Sequence, residues 1–320
     1  MLPVGLAHSI LATIRPQLQG TTLRSHTMGV LPTDSSILLE KLTDVREILA
    51  RFKSKRFPSV STALGIGPWG SSLEGAWYAR HGGKLVELYT ILHLPYTSMV
   101  LSYVLIGAAL SPTLFADRLA LTMLAYFLGL GFSAHALNEL NARHWGASLS
   151  RRDLQLTFLL PLLVSLSIGL YGVRVLYDVS GGNLLPPSIL AMFILLETFF
   201  LFAYNTNYAN GKFHGDLEFA FAWALLPFLT SYYVHSLTVP IGVVLIGLAL
   251  LATAMIEINL SRWCKNFRRR SNVAEMRFED GSLLPISTSG LIRNPEKALK
   301  LIVIVVDLLG IGLFVMKLLG

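Results

Sequence analysis

"LALTMLAYFLGLGFSAHALNELNARHWG", residues 119–146, runs from about twenty apolar positions straight into two histidines, three asparagine or glutamate side chains and an arginine. The apolar part has the length that a helix needs to cross a ~30 Å hydrocarbon core. The polar part then needs a reason, because ionisable side chains near lipid are costly and turn toward a cavity or a partner. His135, Asn138 and Glu139 stand at i, i+3 and i+4, so a helix places them on one face. Either they line a polar pocket or they sit just past the hydrocarbon edge in water.

The whole chain has the composition that this stretch suggests. Of 320 residues, 53% are apolar and only 14% charged, and the mean hydropathy is +0.58. A soluble domain carries nearer a quarter charged residues. The chain therefore reads as an all-α integral membrane protein. Its single cysteine, Cys264, excludes an internal disulfide framework or a cysteine metal cluster. It reads as a free thiol at the membrane edge, with palmitoylation as the alternative.

Seven stretches are long and apolar enough to span: 88–110, 119–138, 154–173, 188–205, 217–235, 239–258 and 298–319. With the N-terminus cytoplasmic, the inner segments hold Arg143, Arg151 and Arg152, then Lys212, then the block from Arg262 to Lys300. The outer segments hold only Arg118, Arg174 and Lys317. A seven-span bundle thus puts every basic-rich loop on one side, as the positive-inside rule expects.

Ahead of the spans, residues 1–33 contain no Asp or Glu and read as a flexible tail, with Met28 as an alternative start. The short run "LAHSILATI" has no basic residue before it and is not expected to be a secretory signal. Residues 34–57 repeat Leu38, Leu39, Leu42, Val45, Ile48, Leu49 and Phe52 at helical spacing. Asp34, Ser35 and Ser36 are N-cap candidates, and Arg51, Lys53, Lys55 and Arg56 suit the C-terminal dipole. An amphipathic helix on the cytoplasmic membrane surface is expected here, or one packed on the protein's own cytoplasmic face. Residues 58–83, with "GIGPWGSS" and "HGG", read as an irregular linker. Three regions follow: a tail 1–33, a helix and linker 34–87, and a transmembrane domain 88–320.

Two further polar clusters stand at span ends. "MIEINLSRWCKNFRRR", 255–270, places Glu257 and Ser261 on one face ahead of Arg262, Lys265 and Arg268. The basic run alone is ordinary anchoring, but Glu257 lies just inside the apolar run. "YNTNYANGKFHGDLEF", 204–219, gathers Tyr204, Asn205, Asn207, Lys212, His214, Asp216 and Glu218. It reads as a cavity lining or as a short polar loop, with His214 and Glu218 at i, i+4 if the helix already runs there. Glu197 and Asp307 are isolated acids within spans, expected to pair with basic or hydroxyl groups on neighbouring helices. All three clusters fall on the cytoplasmic side of the seven-span topology, where they can converge on one pocket.

The order of these elements over about residues 88–270 resembles the UbiA-type intramembrane prenyltransferase superfamily. In that family two aspartate-rich motifs, at the cytoplasmic ends of the second and sixth helices, hold Mg²⁺ for an isoprenoid pyrophosphate. Asn138 and Glu139 match the opening of the first motif, but Ala142 stands where its next aspartate belongs. Glu257 is the only carboxylate in the second, and the family commonly has nine spans. "HALNELNARHWG" and "NLSRWCKNFRRR" are similar to the motifs of a divergent branch, with Asn138 where that branch carries Asp.

The resemblance implies transfer of a prenyl group from an isoprenoid pyrophosphate to a lipophilic acceptor. Glu139 and Glu257 would be the Mg²⁺ ligands. Asn138, Arg143, Asn205, Lys212, Arg262 and Lys265 would hold the pyrophosphate, with the cations sharing its charge. His135 or Asp216 would be the base toward the acceptor. The alternative is a non-catalytic subunit or assembly factor that keeps the fold and binds a lipid or quinone-like ligand, with residues 34–57 docking a membrane protein partner. A transporter ranks behind both, since no pair of broken spans marks symmetric halves. The D-G-x-x-A-R signature of CDP-alcohol phosphatidyltransferases does not occur. Membrane lipids are expected partners and nucleic acid is not.

Overall fold

A computed structural model describes residues 77–80, 82–142, 149–270 and 273–320. The tail, the amphipathic helix 34–57, most of the linker and Arg143 lie outside the described residues.

The described chain is almost wholly helical. α1 (Lys84–Ile91) and α2 (Leu94–Leu110) come first. α3 (Ala116–Tyr126) runs through a π-helical stretch, Phe127–Ala134, into α4 (His135–Ala142). α5 (Arg151–Val179) and α6 (Leu185–Asn205) follow. α7 (Asp216–Ala220) continues through a second π-helical stretch, Phe221–Leu225, into α8 (Leu226–Ser236). α9 (Ile241–Arg270), a hairpin of β1 (Val273–Arg277) and β2 (Leu283–Ser287), and α10 (Thr288–Leu319) complete the chain.

Six helices in this set are long and apolar enough to cross a membrane, and the bent pair α1–α2 raises the number to seven if it is one span. The continuous span expected over 88–110 is instead broken: the two helices meet at 46°. His93, at the break, takes a left-handed conformation (φ 48°), and Pro95 starts the second helix. Proline has no N–H to lose in the first turn and its ring fixes a helical φ, so the new helix begins there.

The remaining predicted spans appear as longer helices. Asp153 makes a capping box with Ser150 at the start of α5, each side chain bonding the other's backbone N–H. The hairpin departs from the all-α expectation. Its turn is built on Asp280 and Gly281, with Gly281 at φ 84° and Asp280 Oδ1 accepting from the Ser282 N–H at 2.8 Å. That Asp-Gly pair is a turn signal legible in the sequence.

The span that includes α7 and α8 is the centre of the bundle: 78% of its apolar window is buried, against 6% for α5. α5 turns Leu156, Leu159, Leu160 and Leu163 outward, as a lipid-facing helix does. α2 packs most extensively on α8 and α10. At the α2–α8 crossing the backbones nearly touch. A Cβ on Gly107 would lie 2.3 Å from the Phe228 carbonyl oxygen, and Ser231 Oγ donates to the Val104 carbonyl at 2.7 Å. Small residues permit this close approach in membrane bundles, where dispersion and hydrogen bonds replace the hydrophobic drive.

The acids inside the spans find hydroxyl partners. Asp307 accepts from Ser98 Oγ at 2.8 Å and from Ser102 Oγ at 2.7 Å, tying α10 to α2. Glu197 accepts from the Tyr126 hydroxyl at 2.9 Å.

Gly107→Ala should therefore destabilise the protein by about 1–3 kcal/mol, the usual cost of overpacking. A lower thermal midpoint in detergent checks this. Gly312→Ala, on α10 with nothing within 4 Å of the added Cβ, is the control and should not lower it.

Candidate functional site

The polar clusters meet at one end of the bundle. Asn141, at the end of α4, donates to the Asn205 carbonyl at the end of α6 at 2.9 Å. Arg262 of α9 pairs with Asp216 at the start of α7. It also donates to the His214 carbonyl at 3.0 Å and to the Tyr204 hydroxyl at 3.4 Å. Four segments distant in sequence are thereby held together by side chains from all three clusters.

Aromatic rings fill the space between them. His135 stacks on His93 at 4.3 Å and lies 6.0 Å from Trp223. Tyr204 stacks on His214 at 4.2 Å, and Phe219 on Trp223 at 5.1 Å. Tyr78 packs edge-on against Tyr96 at 5.5 Å. The π-helical stretches stand beside this cluster. The first ends one residue before His135, and Ser133 Oγ donates to the carbonyl of Leu128, five residues back. The second contains Trp223 and precedes Pro227. Proline cannot donate to the carbonyl four residues back, which is that of Trp223, and its ring crowds it. A local widening of the helix relieves both and re-aims the side chains there.

Each histidine is pinned by a backbone carbonyl. Nδ1 of His135 donates to Gly131 at 2.9 Å, Nδ1 of His214 to Tyr204 at 2.8 Å, and Nδ1 of His93 to Ile91. In a neutral ring this leaves Nε2 as the acceptor.

Glu139 and Glu257 are both buried, at 2% and 3% exposure. Glu257 makes no hydrogen bond among the described residues. Its carboxylate lies within electrostatic reach of Tyr78, Tyr96, Tyr103 and Tyr204. Tyr96 extends to Ser261 at 3.4 Å, one turn beyond Glu257 on the same face of α9. The Tyr103 hydroxyl is buried with no partner among the described residues. A buried hydroxyl left open is uncommon in native proteins.

Other predicted site residues are placed differently. Asn205 is buried, but its amide donates to the Leu201 carbonyl of its own helix at 2.8 Å. Asn138 is half-buried and makes no hydrogen bond among the described residues. Lys212 and Lys265 are exposed at the rim. His214 precedes the helix, whose N-cap is Gly215, so it does not pair at i, i+4 with Glu218. Cys264 is buried, with Sγ facing the Ile292 carbonyl of α10. His93, Tyr96 and Trp223 belong to the cluster yet stand outside the sequence clusters. The histidine of "HLP", at a break before proline, was the available signal for the first.

Mg²⁺ takes a near-octahedral set of oxygen ligands. Among the described residues no three His, Cys, Asp or Glu side chains converge to supply one, and Asp216 is engaged by Arg262.

No protein-family model, no curated protein and no solved structure matches the chain. The likeness to intramembrane prenyltransferases therefore rests on residues 135–146 and 255–270 and on the helix order around them.

Burial lowers the basicity of the His214 ring, and the positive charges of Arg262 and Lys265 act in the same direction; its bond to the Tyr204 carbonyl acts against them. The folded ring thus takes up a proton at lower pH than the unfolded one, whose pKa is about 6.5. The unfolded chain binds more protons in that interval, so stability falls as pH falls below about 6.5 toward the folded value. Thermal midpoints across pH 5–7.5 should show an acid-side loss that is smaller in His214→Asn.

Proposed function

We propose that this chain is a UbiA-like multi-pass membrane protein of seven spans, N-terminus cytoplasmic, whose polar end holds the head of an isoprenoid lipid. The observation that supports the reading best is the buried Tyr103 hydroxyl, without a partner among the described residues and within electrostatic reach of the buried Glu257 carboxylate, close to the aromatic rings of the polar end. An amphipathic ligand suits such surroundings: the rings take its apolar part and the few polar groups fix its head. Lys265 and Lys212, exposed at this end, supply positive charge for a pyrophosphate. Glu257 and the tyrosines suit a quinone-like head deeper in.

Binding without chemistry is the reading supported best. Arg262 and Asp216 neutralise one another, so an anchor for the donor's charge and a base for the acceptor are already spent on each other. Prenyl transfer is the second reading, and one fact favours it: each of the two motif positions keeps one buried carboxylate, Glu139 and Glu257. Neutralising a departing pyrophosphate would then fall chiefly to cations at the rim.

The experiment is binding of geranylgeranyl pyrophosphate, and separately of a short-chain ubiquinone, to the detergent-purified protein with Mg²⁺ and then with EDTA. Saturable binding of either ligand that survives EDTA, with no pyrophosphate released when a phenolic acceptor is added, is the expected result. Replacing Lys212 and Lys265 together by Gln should weaken pyrophosphate binding about 10- to 100-fold, the equivalent of one charge-assisted hydrogen bond. Mg²⁺-dependent binding with pyrophosphate release, lost in Glu139→Gln and Glu257→Gln, establishes the transferase reading instead. No saturable binding by folded protein overturns both.

A further inference from the structure

A second site lies away from the polar end. α3 and its π-helical continuation, α5, α6 and α8 enclose a cleft of about 130 Å³ that is partly open to the outer surface of the bundle. Most of its exposed wall is apolar; Asp117 and Arg118 also line it, with Arg118 donating to the Val234 carbonyl. Gly129, Gly169 and Gly172 keep it open where larger side chains would fill it; a Cβ on Gly169 would already meet Ile194 at 2.9 Å.

Two polar atoms in this wall complete no well-formed hydrogen bond among the described residues: Oε2 of Glu197, and Oγ of Thr230, which lies close to the Tyr126 hydroxyl. Both belong to residues that line the cleft, and they come from different helices. Glu197 is held by its other oxygen, which accepts from the Tyr126 hydroxyl at 2.9 Å. Tyr126 also lines the cleft, so the carboxyl group is oriented and its free oxygen is enclosed. In an apolar, lipid-facing place such open groups are expensive unless something completes them.

We propose that this cleft binds a lipid-soluble phenol, its hydroxyl bonding Glu197 Oε2 and accepting from the Thr230 hydroxyl. One hydroxyl is both donor and acceptor, so it completes both groups at once. The ring fits the room: an engineered apolar cavity of roughly 150 Å³ takes benzene. An apolar tail leaves through the open side. The site owes nothing to the polar end, and the chemistry it would recognise is a neutral hydroxyl rather than an anionic head.

The test uses the full chain in lipid nanodiscs and a 4-hexylphenol that carries a diazirine on its alkyl chain. After photolysis the labelled residues are read by mass spectrometry. Labelling is expected on the cleft-lining residues of α5 and α6. Unlabelled 4-hexylphenol should compete at least tenfold better than hexylbenzene, because a site that hydrogen-bonds a hydroxyl rejects the analogue lacking it. Val175→Trp fills the cleft and should abolish labelling. The combined Tyr126→Phe, Glu197→Met, Thr230→Val variant removes every polar partner and should make the two competitors equal. Thr230→Val alone, the milder change, should reduce the preference several-fold. Labelling elsewhere on the chain, equal competition by hexylbenzene in the unaltered protein, or labelling undiminished in Val175→Trp overturns the proposal.

Discussion

Where α2 crosses α8, Gly107 has no side chain to keep the two backbones apart, and Ser231 spends its hydroxyl on the carbonyl of Val104. Much else in the bundle is arranged around that crossing. α2 is the helix that α10 packs against, with Asp307 clasped by Ser98 and Ser102 and with Gly310 set close to the Ser102 backbone. α8 is the buried centre on which α6 and α9 also rest. In a membrane the solvent gives no reward for joining apolar faces, so association rests on close fit and on hydrogen bonds with no water to compete for them. The same requirement explains the acids inside the spans. Asp307 is completed by two serines, whereas Glu197 is completed on one oxygen only.

The polar end follows from this packing through the two π-helical stretches. An α-helix fixes where a side chain points once its register is set. One widened turn changes that register for everything after it. The stretch 127–134 ends immediately before His135, and the stretch 221–225 carries Trp223. His135 meets His93 and approaches Trp223 where the first helix is broken, the second widened and the fifth widened. These three irregularities are the backbone counterpart of the side-chain clusters.

The sequence makes some of this legible and leaves the rest dark for a physical reason. Span existence is legible because bilayer thickness imposes a length, and six of the seven apolar stretches appear as single long or widened helices. The hydroxyl partners of Glu197 and Asp307 are half legible: the need is evident from burial cost, but the partners lie 71 and more than 200 residues away. The break at His93 was carried by "HLP", yet an apolar window averages straight across it. The hairpin was carried by Asp280-Gly281 and masked by the basic composition around it. The pairing of Asp216 with Arg262 had no local signal, because both residues are ordinary at a span end and only the fold brings them together.

That pairing bears hardest on function. A cation intended for a pyrophosphate gains from being under-neutralised, since its pull on the departing group is what lowers the barrier. A cation already matched by a carboxylate, a carbonyl and a phenol is a structural tie first, and here it joins α9, α7 and the end of α6. Glu257 is in the opposite condition, buried beside tyrosines with no hydrogen bond among the described residues. At this end of the bundle Arg262 is held by its partners on two other segments, while Glu257 stays buried beside tyrosines, so the tie that positions the helices and the buried acid are separate features of one surface.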